Sequence, residues 1–157
     1  MKKTFLCLML AFAVLLCACG SASEAKFEKS DFSVTLTTDF EEYQSDGCHA
    51  CYKDKNVTVY VFKNDFSSMA GLDELDAELY AATIASLNSS ASDLQEKDGL
   101  LYYDYPSRGS DGTEYKNISF TFKGSEAFYQ LQFSVSAKKY EKLKNTIFSY
   151  AETFVCK

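Results

Sequence analysis

Six cysteines and a single histidine are the residues of this sequence best suited to chemistry. Cys48, His49 and Cys51 stand together in the segment Cys-His-Ala-Cys, and Cys156 is the penultimate residue. Cysteines at this spacing can exchange electrons as a disulfide, bind a metal ion together with a histidine, or form a structural crosslink. The other three cysteines, Cys7, Cys17 and Cys19, all lie within the first nineteen residues.

Redox chemistry at Cys48 and Cys51 requires a setting that the flanking sequence does not predict. Thioredoxin-type pairs lie at a helix N-terminus, which lowers the pKa of the attacking thiol. Here the turn signal at 45–47 precedes the pair and a strand pattern follows it. Haem attachment needs histidine directly after the second cysteine, where this sequence has Tyr52. A thiol-active protein is therefore the alternative interpretation and not the preferred one.

Metal binding and structural crosslinking are the other two uses of these cysteines. Adjacent residues of a strand point to opposite faces, so Cys48 and His49 cannot easily converge on one zinc ion, and we predict no metal site. We prefer a structural disulfide from Cys156 to Cys51 or Cys48, with Cys51 favoured because it lies within the strand. Closing a loop of ~105 residues stabilises by up to ~4.7 kcal/mol. A disulfide between Cys48 and Cys51 remains the alternative pairing.

Tyrosines form the other notable group, with 11 Tyr and 13 Phe in the chain. Tyr102, Tyr103 and Tyr105 occupy one predicted strand, which places a ring on each face of the sheet. Exposed tyrosines can stack on sugars or bind a protein partner, although packing is the commoner role. The sequence shows no Gly-rich phosphate loop and no Gly-x-Ser-x-Gly motif. We therefore expect no enzymatic activity and no cofactor.

Alternating apolar residues predict the strands that position these side chains. Three strands come first, at 32–37, 48–53 and 56–62. Apolar residues at helical spacing then predict a helix from Leu72 to Asn88. Strands at 93–97, 100–105, 114–123 and 127–135 follow, and a terminal helix carries Tyr140 to Phe154. The order βββ-α-ββββ-α predicts an α+β fold, with two helices packed on an antiparallel sheet of six to seven strands.

The N-terminal segment resembles the signal of a bacterial lipoprotein. A basic start and a short apolar run precede Leu16-Cys17-Ala18-Cys19, which matches a lipobox. The apolar run of ~12 residues is too short to span a bilayer, which takes about 20. The resemblance implies cleavage after residue 18 and diacylation of Cys19, which anchors the chain to the bilayer. We expect a signal at 1–18, a tether at 19–26 and one extracytoplasmic domain at 27–157.

Charge argues against nucleic acid as a partner. The whole chain has a net charge of −6, and removal of Lys2 and Lys3 with the signal leaves 14 basic against 22 acidic side chains, or −8. A surface of this sign repels phosphate backbones, and no basic cluster offsets it. The acyl chains on Cys19, and not electrostatic attraction, must therefore hold the protein at the membrane.

The order of elements resembles the PsbP-like fold. The resembling segments are Asp31 to Val34 at the start of the domain, the strand Val57 to Phe62 before a helix, and the strand Tyr129 to Val135 before the last helix. The resemblance implies a partner or assembly factor for other proteins more than a catalyst, and it assigns no functional residue. We therefore expect a membrane-anchored binding or accessory module for a surface protein or another ligand.

Overall fold

The computed structural model describes residues 22–157 and has the α+β fold that the sequence predicts. The predicted signal at 1–18 and the lipidation site Cys19 lie outside the described residues. No helix within 22–157 is long and apolar enough to cross a membrane. The strands are β1 (Glu24–Glu28), β2 (Phe32–Thr37), β3 (Glu41–Tyr43), β4 (Ala50–Lys53), β5 (Val57–Asp65), β6 (Gln95–Lys97), β7 (Leu100–Arg108), β8 (Glu114–Lys123), β9 (Ala127–Ser136) and β10 (Val155–Cys156), and the helices are α1 (Ala77–Ser86) and α2 (Tyr140–Glu152).

The strands form two antiparallel sheets. Seven strands pair in the order β3-β4-β5-β9-β8-β7-β6, and three smaller strands pair in the order β1-β2-β10. Six of the seven predicted strands belong to the larger sheet, and the strand predicted at 32–37 is β2 of the smaller one. The prediction omitted β1, β3 and β10, which have two to five residues each and carry too few apolar side chains to stand out.

The predicted tether at 19–26 is wrong over its last three residues. Glu24 to Lys26 belong to β1, which pairs with β2 from Glu24 opposite Thr37 to Glu28 opposite Ser33. The backbone carbonyl of Ser23 also accepts a hydrogen bond from Thr38, at 2.7 Å. Charged and apolar residues alternate in β1, as expected for an edge strand with one face exposed to solvent. The ordered domain thus begins closer to Cys19 than expected.

Helix α1 begins five residues later than the apolar spacing predicts. Asp76 caps it, because its side chain accepts a hydrogen bond from the backbone N–H of Leu79 at 2.7 Å. Gly71, at a φ of 80°, shapes the preceding turns. Asp98 and Gly99 form the hairpin turn between β6 and β7, and both have the positive φ that a type I′ turn requires.

The main core lies between the two sheets and beneath α2. Alternate residues of β5, β8 and β9 face β2 and α2, and the core side chains Val59, Phe120 and Leu131 are fully buried. We call this side of the seven-stranded sheet its inner face. Ring contacts such as Phe120 against Phe148, with centroids 5.1 Å apart, fix α2 on it.

Helix α1 packs on the opposite, outer face. Tyr80 stacks on Phe128 with ring centroids 4.0 Å apart, and Asn64 donates a side-chain hydrogen bond to the Tyr80 hydroxyl. Phe128 lies on the outer face because it alternates with the inner residue Tyr129. The two helices therefore lie on opposite sides of one sheet, and the ten-residue α1 leaves part of the outer face uncovered.

Candidate binding groove on the outer sheet face

The uncovered part of the outer face forms a groove of about 390 Å³, which we call the outer groove. Four strands build its floor and walls in cross-strand rows. One row contains Thr58, Ser134, Asn117 and Tyr105, and the next supplies Tyr60 and Gln132, whose row neighbours Ser119 and Tyr103 are buried and do not line the groove. Phe62 lies at one end of the groove, and Ser107, Arg108, Gly109 and Tyr115 lie at the other.

Hydrogen bonds fix the floor of the groove. Tyr105 donates from its hydroxyl to Oε1 of Gln132 at 2.8 Å, across the intervening strand β8. Asn117 is 3% exposed, and its side-chain nitrogen donates to Oγ of Ser107 at 2.8 Å. Burial raises the pKa of Tyr105, so its phenol stays protonated and donates at physiological pH. The floor is therefore prearranged before any ligand arrives.

Aromatic rings flank this polar floor on two sides, with Tyr103 buried beneath the edge of the groove and the other rings lining it. Tyr60 and Phe62 stack along β5 with centroids 6.1 Å apart, and Tyr103 and Tyr105 stack along β7 with centroids 6.2 Å apart. β9 and β8 lie between these strands, so the two aromatic ridges are about 14 Å apart at the backbone. Tyr60, Phe62 and Tyr105 are half-buried, which leaves ring surface open to a ligand.

The lining of the groove is almost uncharged. Arg108 is the only ionised side chain among the lining residues of the described chain, and its guanidinium lies 2.7 Å from the carboxylate of Glu114. The other polar groups are neutral hydroxyls and amides. In a protein with a net charge of −6, this neutral patch differs from the surface around it.

A second cavity, of about 480 Å³, adjoins the groove and shares Phe62 with it. Its lining includes Cys48, His49, Lys63 and Gln130. The Gln130 side chain is 9% exposed, and its amide nitrogen has no hydrogen-bond partner. Ser119 Oγ and Thr121 Oγ1, on the same face of the described sheet, also have no hydrogen-bond partner.

Four side chains form a charged cluster at the rim of the second cavity, which we call the Asp31 cluster. Asp31 Oδ2 lies 2.9 Å from Nε2 of His49 and 3.0 Å from Nζ of Lys63, and it accepts a hydrogen bond from Tyr129 at 3.2 Å. Burial would raise the pKa of Asp31, but hydrogen bonds from Lys63 and His49 and their charges lower it to about 2. The imidazole of His49 is therefore engaged by the carboxylate of Asp31.

The structure contradicts the preferred pairing of the cysteines. Cys48 is bonded to Cys51, and Cys156 is the free cysteine among residues 22–157. The predicted bridge from Cys156 to Cys51 or Cys48 is wrong because β10, which carries Cys156, pairs with β2 in the smaller sheet. The alternative bridge between Cys48 and Cys51 is the one present. It fixes the 48–51 segment, whose first two residues line the second cavity, onto strand β4.

Metal ligands do not converge in the part of the chain that the structure describes. No group of three or more His, Cys, Asp and Glu side chains there is arranged to hold an ion. Cys48 and Cys51 are consumed by their disulfide. Burial raises the pKa of the Cys156 thiol to about 11, which disfavours the thiolate that binds metals.

Sequence reasoning singled out Tyr105 but missed the polar floor of the groove. The inner residues of β8 and β9 are recognisable by their apolar character, whereas the alternate positions carry no apolar signal. The positions among them that line the groove are neutral and include Asn117, Gln132 and Ser134. An outer face bathed in water usually carries lysine and glutamate. The run of amide and hydroxyl side chains at these positions is therefore the sequence feature that indicates a polar groove floor.

Comparison with known proteins supports the fold and assigns no activity. No protein-family model matches the sequence, and no curated protein is significantly similar to it. The solution structure of cyanobacterial PsbP (CyanoP) from Synechocystis is similar, at 13% identity and a TM-score of 0.58 over 89% of this chain and 96% of that one. A crystal structure from Bacteroides thetaiotaomicron matches at 14% identity and a TM-score of 0.54, over 80% of this chain but 45% of that longer one.

A third similar structure is LpqN of Mycobacterium tuberculosis, described as involved in cell envelope biogenesis. It is 9% identical, with a TM-score of 0.49 over 87% of this chain and 92% of that one. The match to CyanoP covers nearly all of both chains, and residues 22–157 have the element order of that fold. The described part of this chain therefore has a PsbP-like fold.

Proposed function

We propose that this protein is a lipid-anchored, extracytoplasmic binding module that captures its ligand in the outer groove. The observation that carries this proposal is the groove itself, with a prearranged neutral floor between two aromatic ridges. Ligand sites are concave, rich in aromatic surface and supplied with a few fixed polar groups. The outer groove has each of these properties.

The position of the N-terminus suits an anchored module. Strand β1 belongs to the three-stranded sheet, which packs against the inner face, whereas the groove opens on the outer face. Acylation of Cys19 would hold the smaller sheet near the membrane, with four residues before β1. Four extended residues reach about 14 Å. The groove would then face away from the anchored layer and stay accessible to a partner.

The proposal of a binding role without catalysis rests on the residues around the groove. The lining offers hydroxyls and amides, while the single histidine of the sequence is engaged by Asp31 outside the groove. A hydroxyl without an adjacent base is a weak nucleophile. The groove is therefore equipped to hold a ligand and not to activate one.

The anchor is tested separately from the groove. We expect Cys19→Ala to abolish incorporation of a palmitate analogue and to release the protein from the membrane fraction. Cys17→Ala is the matched control, because it alters the neighbouring cysteine of the same segment and should leave both properties intact. Equal labelling of the two variants would refute the proposed acylation site.

Site-specific photocrosslinking in cells tests the groove. A photoreactive residue placed at Thr58, in the groove, should give a discrete adduct, and the same residue at Ser149, exposed on α2, should not. Adding Tyr60→Ala should remove the adduct. Identical adducts from both positions, or adducts unaffected by Tyr60→Ala, would overturn the groove as the binding site.

A thiol-active protein is the second candidate, favoured by the disulfide between Cys48 and Cys51 beside the second cavity. In such a protein the disulfide would accept two electrons and two protons from a substrate dithiol and become two thiols. Cys51 is only 1% exposed, so Cys48 would have to react first. Insulin reduction with dithiothreitol, lost in Cys48→Ser, would support this candidate, and equal rates in both proteins would end it.

A further inference from the structure

We infer that the ligand of the outer groove is a neutral oligosaccharide. This inference rests on the proposed function and names the chemical class that the groove would bind. It is drawn from the charge of the groove, from its hydrogen-bonding groups and from its aromatic ridges.

Charge excludes the ionic classes of ligand first. The sequence has 22 acidic side chains, yet none lines the groove in the described chain, so a cationic ligand finds no counter-charge there. Arg108 is the one cation, and it is already paired with Glu114 at 2.7 Å. A polyanion would meet the repulsion of a protein with a net charge of −6. An uncharged ligand fits the groove best.

The hydrogen-bonding groups match a ligand rich in hydroxyls. Thr58, Ser107 and Ser134 offer hydroxyl groups, each of which donates and accepts. Gln132 accepts from Tyr105 through its oxygen, which leaves its amide nitrogen to donate elsewhere. Sugar hydroxyls also donate and accept, so each can bond to groups of either kind. A ligand with few polar groups would leave these side chains unpaired.

The aromatic ridges match the apolar faces of sugar rings. A pyranose presents C–H groups on its faces and hydroxyls around its edge, so it can pack on a ring while it hydrogen-bonds to a polar floor. Tyr60 and Phe62 on one side and Tyr105 on the other supply half-buried rings beside the floor residues. These aromatic side chains have few rotatable bonds, so they provide contact area for a sugar ring with little loss of conformational entropy.

An extended peptide is the main competitor, and the sheet topology disfavours it. Peptides that bind to sheets usually add a strand at an exposed edge, where backbone groups are unpaired. The groove instead lies on the face of β5, β9, β8 and β7, of which β5, β9 and β8 have a strand on each side, while β6 pairs with β7 only from Leu100 to Tyr102. Its floor therefore offers side chains only. A peptide would leave most of its own backbone groups without partners.

The test measures binding of the purified domain to an array of neutral oligosaccharides, with heparin and acidic peptides as comparison probes. Hits are quantified by isothermal titration calorimetry. We expect saturable binding of at least one neutral oligosaccharide, weakened about ten-fold or more by Tyr60→Ala and by Gln132→Ala, a loss that corresponds to about 1.4 kcal/mol. Leu79→Ala and Gln95→Ala, at exposed positions outside the groove, are matched controls.

The outcomes separate this inference from the proposed function. Binding that is lost in the groove variants and kept in the controls, with unchanged thermal unfolding, supports the neutral oligosaccharide. If no neutral oligosaccharide binds while the adduct from Thr58 is a protein and depends on Tyr60, the inference falls and the proposed function stands. If neither glycan binding nor the adduct depends on Tyr60, both fall.

Discussion

Tyr105 on β7 and Gln132 on β9 are joined by a hydrogen bond of 2.8 Å that passes over β8. The bond links one aromatic ridge of the outer groove to the floor next to the other ridge. Both side chains are half-buried, so the bond lies at the boundary between the packed sheet and the solvent-filled groove. This boundary is where a small change alters the groove without disturbing the core.

Tyr105→Phe should weaken ligand binding while the fold persists. The substitution keeps the ring but removes the hydroxyl that fixes Gln132, and loss of one hydrogen bond costs about 1 kcal/mol of the free energy of unfolding. Urea denaturation measures that cost, and titration of a groove ligand measures affinity. Tyr150→Phe, a half-buried tyrosine on α2, is the control. Equal losses of affinity in both variants would contradict a specific role for Tyr105.

The disulfide should make only a modest contribution to stability. Cys48 and Cys51 close a loop of ~4 residues, for which the chain-entropy model gives about 2 kcal/mol. Reduction should lower the free energy of unfolding by up to that amount, and Cys156→Ser should leave the response to reductant unchanged. Mass mapping without reduction should recover Cys48 linked to Cys51. A linked peptide that contains Cys156 would refute this arrangement.

Sequence alone does not determine which cysteines pair. A long loop gives a larger stabilisation by chain entropy, but this quantity does not decide whether two sulfur atoms meet. Meeting depends on strand pairing, and β10 has only two residues, too few for a recognisable pattern. The bounds of β8, by contrast, were predicted to the residue, because Ile118, Phe120 and Phe122 alternate with polar residues and glycine-containing turns flank the strand.

The same contrast explains why the fold was predicted better than the candidate site. Helix and strand periodicity depends on side chains that face the core, such as Ile118, Phe120 and Leu131, and these dominate the sequence pattern. The groove depends on the order of strands in the sheet. β9 inserts between β5 and β8, which brings Gln132 between Tyr60 and Tyr105. That order is a long-range property that local sequence does not encode.

Cys156 should react slowly with alkylating reagents in the folded protein. Burial, and secondarily the charge of Asp31, raises the pKa of its thiol from 9.0 to about 11. At neutral pH this leaves on the order of 100-fold less thiolate, the reactive species. Iodoacetamide labelling followed by mass spectrometry should therefore be slow in buffer and fast in urea. Equal rates in the two conditions would show that the thiol is exposed.

The Asp31 cluster joins parts of the chain that are distant in sequence. Asp31 precedes β2, His49 precedes β4, and Lys63 lies near the end of β5. The hydrogen bonds that Lys63 donates to Asp65 and Asp31 raise its pKa, so Lys63 stays charged throughout the range in which Asp31 titrates. The cluster therefore links the smaller sheet to the seven-stranded sheet through the Asp31 carboxylate, whose charge is lost at low pH.

Asp31 should stabilise the folded protein at neutral pH and lose that effect in acid. Its folded pKa of about 2 lies below the ordinary 3.8, so the contribution is complete above 3.8 and disappears as the pH falls towards 2. After allowance for solvent screening we expect about 1 kcal/mol. Urea denaturation from pH 7 to pH 2 should show Asp31→Asn less stable at pH 7 and converging with the unmodified protein in acid, whereas exposed Asp73→Asn should follow the unmodified protein throughout. A constant gap between Asp31→Asn and the unmodified protein would contradict this linkage.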